Sequence, residues 1–262
     1  DLAAALALEV GKNRMESLGE VQEVADFFRI YAEQMEKNEG YDRPLPDDPL
    51  EGWKSHNRSV MKPYGPWLVV VPYNFPFALA GGPVGAALVA GNTVVLKGAS
   101  DTPWAGRLLV QLLHDAGVPP GVVNYVMGPG RTVGQRLIEH PATAGATFTG
   151  SYETGMHLVR SFAAGRYPRP VIAEMGGKNA TIVWDDADMN KAIYESVIGS
   201  YLSTGQRCSC TSRIILHKNI AQKFIDKFYE TAKKLTIGHW KDNQFMGPLI
   251  NADAVEKYLR FQ

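Results

Sequence analysis

The sequence predicts an α/β fold, a parallel β-sheet with helices packed on both of its faces. Two observations carry this. Short apolar runs rich in β-branched residues recur along the chain, and helix-length segments with capping signals separate them. The first such run, WLVVV (67–71), lacks the polar alternation of a half-exposed sheet, so it reads as a strand covered on both sides.

Taken in order, the chain opens on DLAAALALEV, a helical segment without a start signal. It closes on VEKYLRFQ, also helical, and both edges read as cuts within a longer polypeptide. Val21, Val24, Ala25, Phe28, Tyr31 and Met35 fall at helical spacing and predict an amphipathic helix over 19–37. The polar, Pro- and Gly-containing stretch that follows, 38–62, reads as an excursion from the core. After WLVVV, TVVLK (93–97) is a second strand. Asp101 or Thr102, then Pro103, then an apolar-periodic run to Gly117 predict a capped helix. VVNYV (122–126) is a third strand and 130–140 a further helix. ATFTG (146–150) is a fourth strand, Ser151 caps the next helix, and PVIAEM (170–175) is a fifth strand. A second α/β stretch comprises TIVW (181–184), a helix over 188–203, IILH (214–217) and a helix over 220–235. Repeated β-α-β units of this length require a parallel sheet, whose ligands bind beyond the carboxyl ends of the strands.

The bulk properties narrow the function. Twenty-seven basic residues balance twenty-seven acidic ones, so no net field favours nucleic acid or an acidic membrane surface. No apolar run is long enough to span a bilayer. The two cysteines, Cys208 and Cys210, are too close in sequence for an unstrained disulfide and too few for a structural zinc site, so no metal is expected. Reduced thiols point to a cytoplasmic protein.

Five segments hold the chemistry: VPYNFPF (71–77), VLKGAS (95–100), FTGSYETG (148–155) and EMGGK (174–178) at predicted strand ends, and TGQRCS (204–209), which is taken as a pair with EMGGK. Taken singly, each has an ordinary explanation: Asn74 makes a turn, Lys97 is a solvated charge, Ser151 is a helix cap, Glu174 an exposed strand end, Cys208 a small buried hydrophobe. Taken in order, with 23 positions from Asn74 to Lys97 and 34 from Glu174 to Cys208, they closely resemble the aldehyde dehydrogenase superfamily over essentially the whole chain.

The resemblance implies that family's fold, a Rossmann-like parallel-sheet cofactor domain (1–37 and 63–175) followed by part of an α/β catalytic domain (176–262). The 38–62 excursion would correspond to its oligomerisation arm, in a homodimer or homotetramer. It implies oxidation of an aldehyde to a carboxylic acid with NAD, and possible use of NADP. Cys208 matches the nucleophile, a role that suits a thiolate. Asn74, with the Cys208 backbone N–H, matches the oxyanion donors, and Glu174 the general base. Pro72, Tyr73, Lys97, Ser100, Gly130, Gly134, Gly150 and Ser151 match cofactor-binding positions, with Lys97 at the adenosine ribose and Gly150 and Ser151 at the phosphates. GPGRTVG (128–134) departs from the usual GxGxxG fingerprint. Segments 24–35, 170–180 and 204–213 look most like the branch that oxidises glutamate semialdehyde, the open form of 1-pyrroline-5-carboxylate. A broad-specificity aldehyde dehydrogenase and a catalytically retired homologue are the alternatives.

Overall fold

The computed structural model describes residues 1–242 and 244–261. Helix α1 (Leu2–Val10) ends where Gly11 adopts a left-handed conformation (φ 81°), which a side chain there would strain. Helix α2 (Arg14–Lys37) starts ahead of residue 19 because Asn13 caps it, accepting the Glu16 N–H at 2.9 Å. The polar excursion forms an antiparallel ribbon in which β1 (Asp42–Pro44) pairs with β2 (Arg58–Val60), and Arg58 bridges Asp42 across it.

The next elements build the main sheet: β3 (Pro66–Val70), α3 (Ala78–Val89), β4 (Thr93–Lys97), α4 (Pro103–Asp115), β5 (Val123–Val126), α5 (Gln135–Glu139), β6 (Gly145–Gly150), α6 (Tyr152–Ala163) and β7 (Val171–Met175). All pairings are parallel, in the order β5-β4-β3-β6-β7. From β3 the chain steps outward through β4 to β5, then returns to the other side of β3 for β6 and β7. The reversal therefore falls between β3 and β6, and the carboxyl ends of strands at such a point frame a natural crevice. β3 is covered on both faces as its sequence predicts. Trp67 and Val69 pack with Val84 and Leu96 on one side, and Leu68 packs with Phe148 and Phe162 on the other.

Three local features differ from the sequence reading. Helix α3 is not predicted, because Gly81, Gly82, Gly85 and Pro83 are poor helix formers. Packing against α2 overrides propensity: a Cβ at Gly81 would lie 2.5 Å from Val24 Cγ1 and one at Gly82 would lie 3.2 Å from Phe27 Cδ2. The N-terminus of α4 is capped by neither Asp101 nor Thr102, whose buried hydroxyl finds no partner among the described residues. Glu9 of α1 supplies the cap instead, accepting the N–H groups of Trp104 (2.5 Å) and Ala105 (2.9 Å). The predicted helix over 130–140 begins as a wide turn. There the Pro129 carbonyl accepts N–H groups of Thr132, Val133 and Gly134, and regular helix starts only at Gln135.

After the main sheet, β8 (Asn179–Val183) pairs in parallel with β9 (Thr211–Leu216) in a separate two-stranded sheet. Helices α7 (Met189–Tyr201) and α8 (Ala221–Ala232) cover it through Val183, Ile193, Val197 and Phe224, and α9 (Ala252–Leu259) follows. Among the described residues no helix is long and apolar enough to cross a membrane.

Candidate active site

A cleft opens at the carboxyl ends of β3, β4, β6 and β7, across the sheet's reversal point. Its wall includes Pro72, Tyr73 and Asn74 after β3, Lys97 and Ala99 at the end of β4, and Gly150, Ser151 and Thr154 around the start of α6. Met175 and Gly176 after β7 and the loop Gly205–Cys208 complete it, with Lys257 of α9. Seven residues singled out from the sequence thus share one cleft: Pro72, Tyr73, Asn74, Lys97, Gly150, Ser151 and Cys208. Ser100, Gly130, Gly134 and Glu174 lie outside its wall.

Cys208 and Cys210 are free thiols; Cys208 is exposed and Cys210 half-buried. The segment is a turn rather than an extended strand, closed by the Cys210 N–H donating to the Arg207 carbonyl at 3.3 Å. Two anchors fix it. Asn179 Nδ2 donates to the carbonyls of Cys208 (2.7 Å) and Cys210 (3.1 Å), and Arg207 donates to the Ile198 carbonyl (3.0 Å) near the end of α7. Asn74 reaches the same loop: its Nδ2 donates to the Gln206 carbonyl at 2.8 Å, while its Oδ1 accepts the Phe75 N–H. One N–H of that amide remains for another acceptor.

Lys97 is only 6% exposed, yet its single acceptor among the described residues is the Gly98 carbonyl at 2.9 Å. Burial lowers its pKa. No carboxylate among the described residues pairs with it, so a buried ammonium with spare donors faces the cleft, which suits hydroxyl or phosphate oxygens. Tyr73 stands nearby on the wall, its pKa raised by burial and then by Asp101. Ser151 caps α6 through the Thr154 N–H at 3.3 Å, as predicted, and the start of α6 offers first-turn N–H groups with no intrahelical partner.

The glycines divide. Gly150 is required by the protein itself, since a Cβ there would lie 2.6 Å from Phe148 Cζ. A Cβ at Gly130 or Gly134 would meet nothing within 4 Å, so packing within the protein does not require a glycine at either position. Ser100 is exposed just beyond Ala99. Glu174 is exposed on β7, opposite Thr149 of β6, and its carboxylate has no partner among the described residues. Strand alternation turns Ala173 and Met175 toward the core cluster and Glu174 away from it.

Asn179, Gln206 and Arg207 lie inside segments already quoted from the sequence, but no local signal shows that their partners are main-chain carbonyls. Lys257 carries no sequence signal for this cleft at all.

A free thiol, an amide donor and a buried lysine thus line a cleft at the reversal point of a parallel sheet, where sheets of this kind bind ligands. The whole chain, residues 1–262, matches the aldehyde dehydrogenase family, and the protein belongs to that family. Over 261 residues it is 38% identical to 1-pyrroline-5-carboxylate dehydrogenase of Staphylococcus aureus (strain N315), a match covering 98% of this chain and 50% of that protein. The chain thus spans about half the length of the curated relatives it matches. Among solved structures, 1-pyrroline-5-carboxylate dehydrogenase from Thermus with bound NAD is similar with a TM-score of 0.92 and 34% identity, covering 99% of this chain and 50% of that one. Proline utilization A from Bdellovibrio bacteriovorus, inactivated by N-propargylglycine, gives a TM-score of 0.92 and 35% identity, over 99% of this chain and 27% of that one.

Proposed function

We propose that the full-length protein oxidises L-glutamate 5-semialdehyde to glutamate with NAD, through a covalent adduct on Cys208. The observation that carries this is the 2.8 Å bond from Asn74 to the Gln206 carbonyl, which joins two loops 132 positions apart and keeps an amide donor on the wall of the cleft that the exposed thiol also lines. The similarity to 1-pyrroline-5-carboxylate dehydrogenases supports the choice of substrate.

In this reading the Cys208 thiolate adds to the aldehyde carbon, and the oxygen that becomes negative is met by the free N–H of Asn74 and the Cys208 backbone N–H. NAD, when bound, would supply the hydride acceptor, and loss of hydride from the hemithioacetal would leave a thioester on Cys208. Glu174 then takes a proton from water as the water oxygen attacks the thioester carbon, and the Cys208 sulfur leaves with the acid released. Lys97 would meet the adenosine ribose, Gly150 and Ser151 at the start of α6 would meet the phosphates, and Gly130 and Gly134 would lie on the adenine side. Pro72 and Tyr73 line the path between. Residues 1–37 and 63–175 form the dinucleotide-binding domain, 176–262 the first part of the catalytic domain, and the 38–62 ribbon an assembly arm of a cytoplasmic homodimer or homotetramer.

The test is a steady-state comparison in the full-length enzyme. Glutamate semialdehyde is expected to give a larger kcat/KM than propanal or benzaldehyde, and the reverse order would mark a broad-specificity enzyme.

Cofactor choice gives a second test. Ser100 carries no charge, so nothing at that position repels a 2′-phosphate, and Lys97 is a cation that can pair with one. No arginine in VLKGAS grips it, which leaves NAD preferred with measurable NADP use. Ser100→Glu is expected to lower kcat/KM with NADP about tenfold or more and with NAD only slightly, a like-charge effect of roughly 1.4 kcal/mol per decade. Equal loss with both cofactors would place Ser100 away from the 2′ position.

A further inference from the structure

We propose that Glu16 and Glu20, one turn apart on α2, are positioning residues that hold the two loops of the reaction site in register. Glu20 holds the loop carrying Asn74, and Glu16 holds the loop leading into Cys208. The inference rests on the roles given above to Asn74 and Cys208.

Glu20 is 2% exposed. Its Oε1 accepts the N–H groups of Phe77 (2.9 Å) and Ala78 (3.0 Å), capping α3 from another helix. Its Oε2 pairs with Lys12 Nζ at 2.5 Å, and that ammonium, also 2% exposed, lies 3.3 Å from the centre of the Phe75 ring, next in sequence to Asn74. Two charges buried where apolar side chains would pack as well are a poor device for stability and a good one for fixing geometry. The chain from Asn74 to α3 is thus held at its backbone and at the Phe75 ring by one ion pair.

Glu16 does the corresponding work on the other loop. Its Oε1 accepts the Ser203 hydroxyl, while its Oε2 is buried without a partner among the described residues. Ser203 (φ 55°) and Thr204 (φ 57°) both occupy the left-handed region, where a residue with a side chain persists only if its surroundings hold it. Glu16 holds the first, and the Gly247 carbonyl accepts the Thr204 hydroxyl at 2.8 Å. From Ser203 the circuit closes. Its carbonyl accepts the Gln206 N–H at 3.0 Å, and the Gln206 carbonyl accepts Asn74 Nδ2 at 2.8 Å. Helix α2 therefore grips both ends of a path that passes through the Asn74–Gln206 bond.

The experiment measures kcat per titratable active-site thiol, dinucleotide affinity and the thermal midpoint in full-length Glu16→Ala, Glu16→Gln, Ser203→Ala and Glu20→Gln. Glu16→Ala and Ser203→Ala are expected to lower kcat per site by about 100-fold, the cost of a displacement near 1 Å, with dinucleotide affinity unchanged. Glu16→Gln keeps an oxygen for the Ser203 hydroxyl and is expected to restore most of the rate. Glu20→Gln is expected to behave like Glu16→Ala, because it removes the carboxylate that is hydrogen-bonded to Lys12. In an Asn74→Ala background each substitution is expected to cost much less, since the group it places is gone. Wild-type kcat per site in Glu16→Ala and Ser203→Ala, or losses that simply add to that of Asn74→Ala, would overturn the inference. Full activity in Cys208→Ala would instead overturn the site assignment on which it rests.

Discussion

Replacing Cys208 by alanine is expected to abolish turnover in the full-length enzyme, by about 10⁴-fold or more, the scale on which loss of a covalent nucleophile is felt. The substitution removes only a sulfur. Cys208 sits on an exposed turn whose fixed points are backbone carbonyls, two of them held by Asn179 and one by Asn74. No packing is lost, so stability is expected to shift by less than about 0.5 kcal/mol, as for exposed substitutions away from special features. Dinucleotide binding is expected to persist as well, because the residues proposed to meet the dinucleotide, Lys97, Ser151, Gly130 and Gly134, lie on other elements. Reduced-dinucleotide formation and a calorimetric titration with NAD separate the two effects. Cys210→Ala, at a half-buried thiol two residues on, serves as the control and is expected to keep activity. Retained turnover in Cys208→Ala would remove the thiol from the mechanism.

The parts of this site legible in the sequence are those whose cause is local. The strands declare themselves because buried parallel strands are continuous β-branched runs, and Ser151 declares its helix because a cap acts within three residues. What stays hidden depends on partners far along the chain. Glu9 caps α4 across 95 positions, and Glu20 caps α3 across 57. Neither carboxylate differs in its local sequence from a solvated one. Helix α3 is hidden for the opposite reason: its glycines argue against a helix locally, and only the approach of Val24 and Phe27 shows why they are there. Likewise Gly130 to Gly134 reads as a helix start, while the structure makes it a wide turn around the Pro129 carbonyl. In the site, residue types and their order point to the chemistry. That Asn74 is tied to the Cys208 loop through Gln206 comes only from the fold.

Glu174→Gln is expected to separate the two halves of the reaction. In the proposed mechanism the general base is needed only when water attacks the thioester, because addition of the thiolate and loss of hydride would require no proton transfer to this carboxylate. Glu174 suits a late role. It is exposed at the end of β7, has no partner among the described residues, and stands directly before Met175 and Gly176 on the cleft wall. No hydrogen bond among the described residues fixes its side chain, whereas Asn74 is held by one at 2.8 Å. Glutamine keeps the size and polarity but cannot accept the proton, so the thioester on Cys208 accumulates. Mixing the variant with aldehyde and NAD is expected to release about one equivalent of reduced dinucleotide per site in a rapid burst. The steady rate that follows is expected to be slower than wild type by about 10²- to 10⁴-fold, the usual contribution of a positioned base. Mass spectrometry of the quenched protein should find the acyl group on the peptide containing Cys208. If the burst and the steady rate fall together, Glu174 acts before the thioester forms and its assignment as the hydrolytic base is wrong.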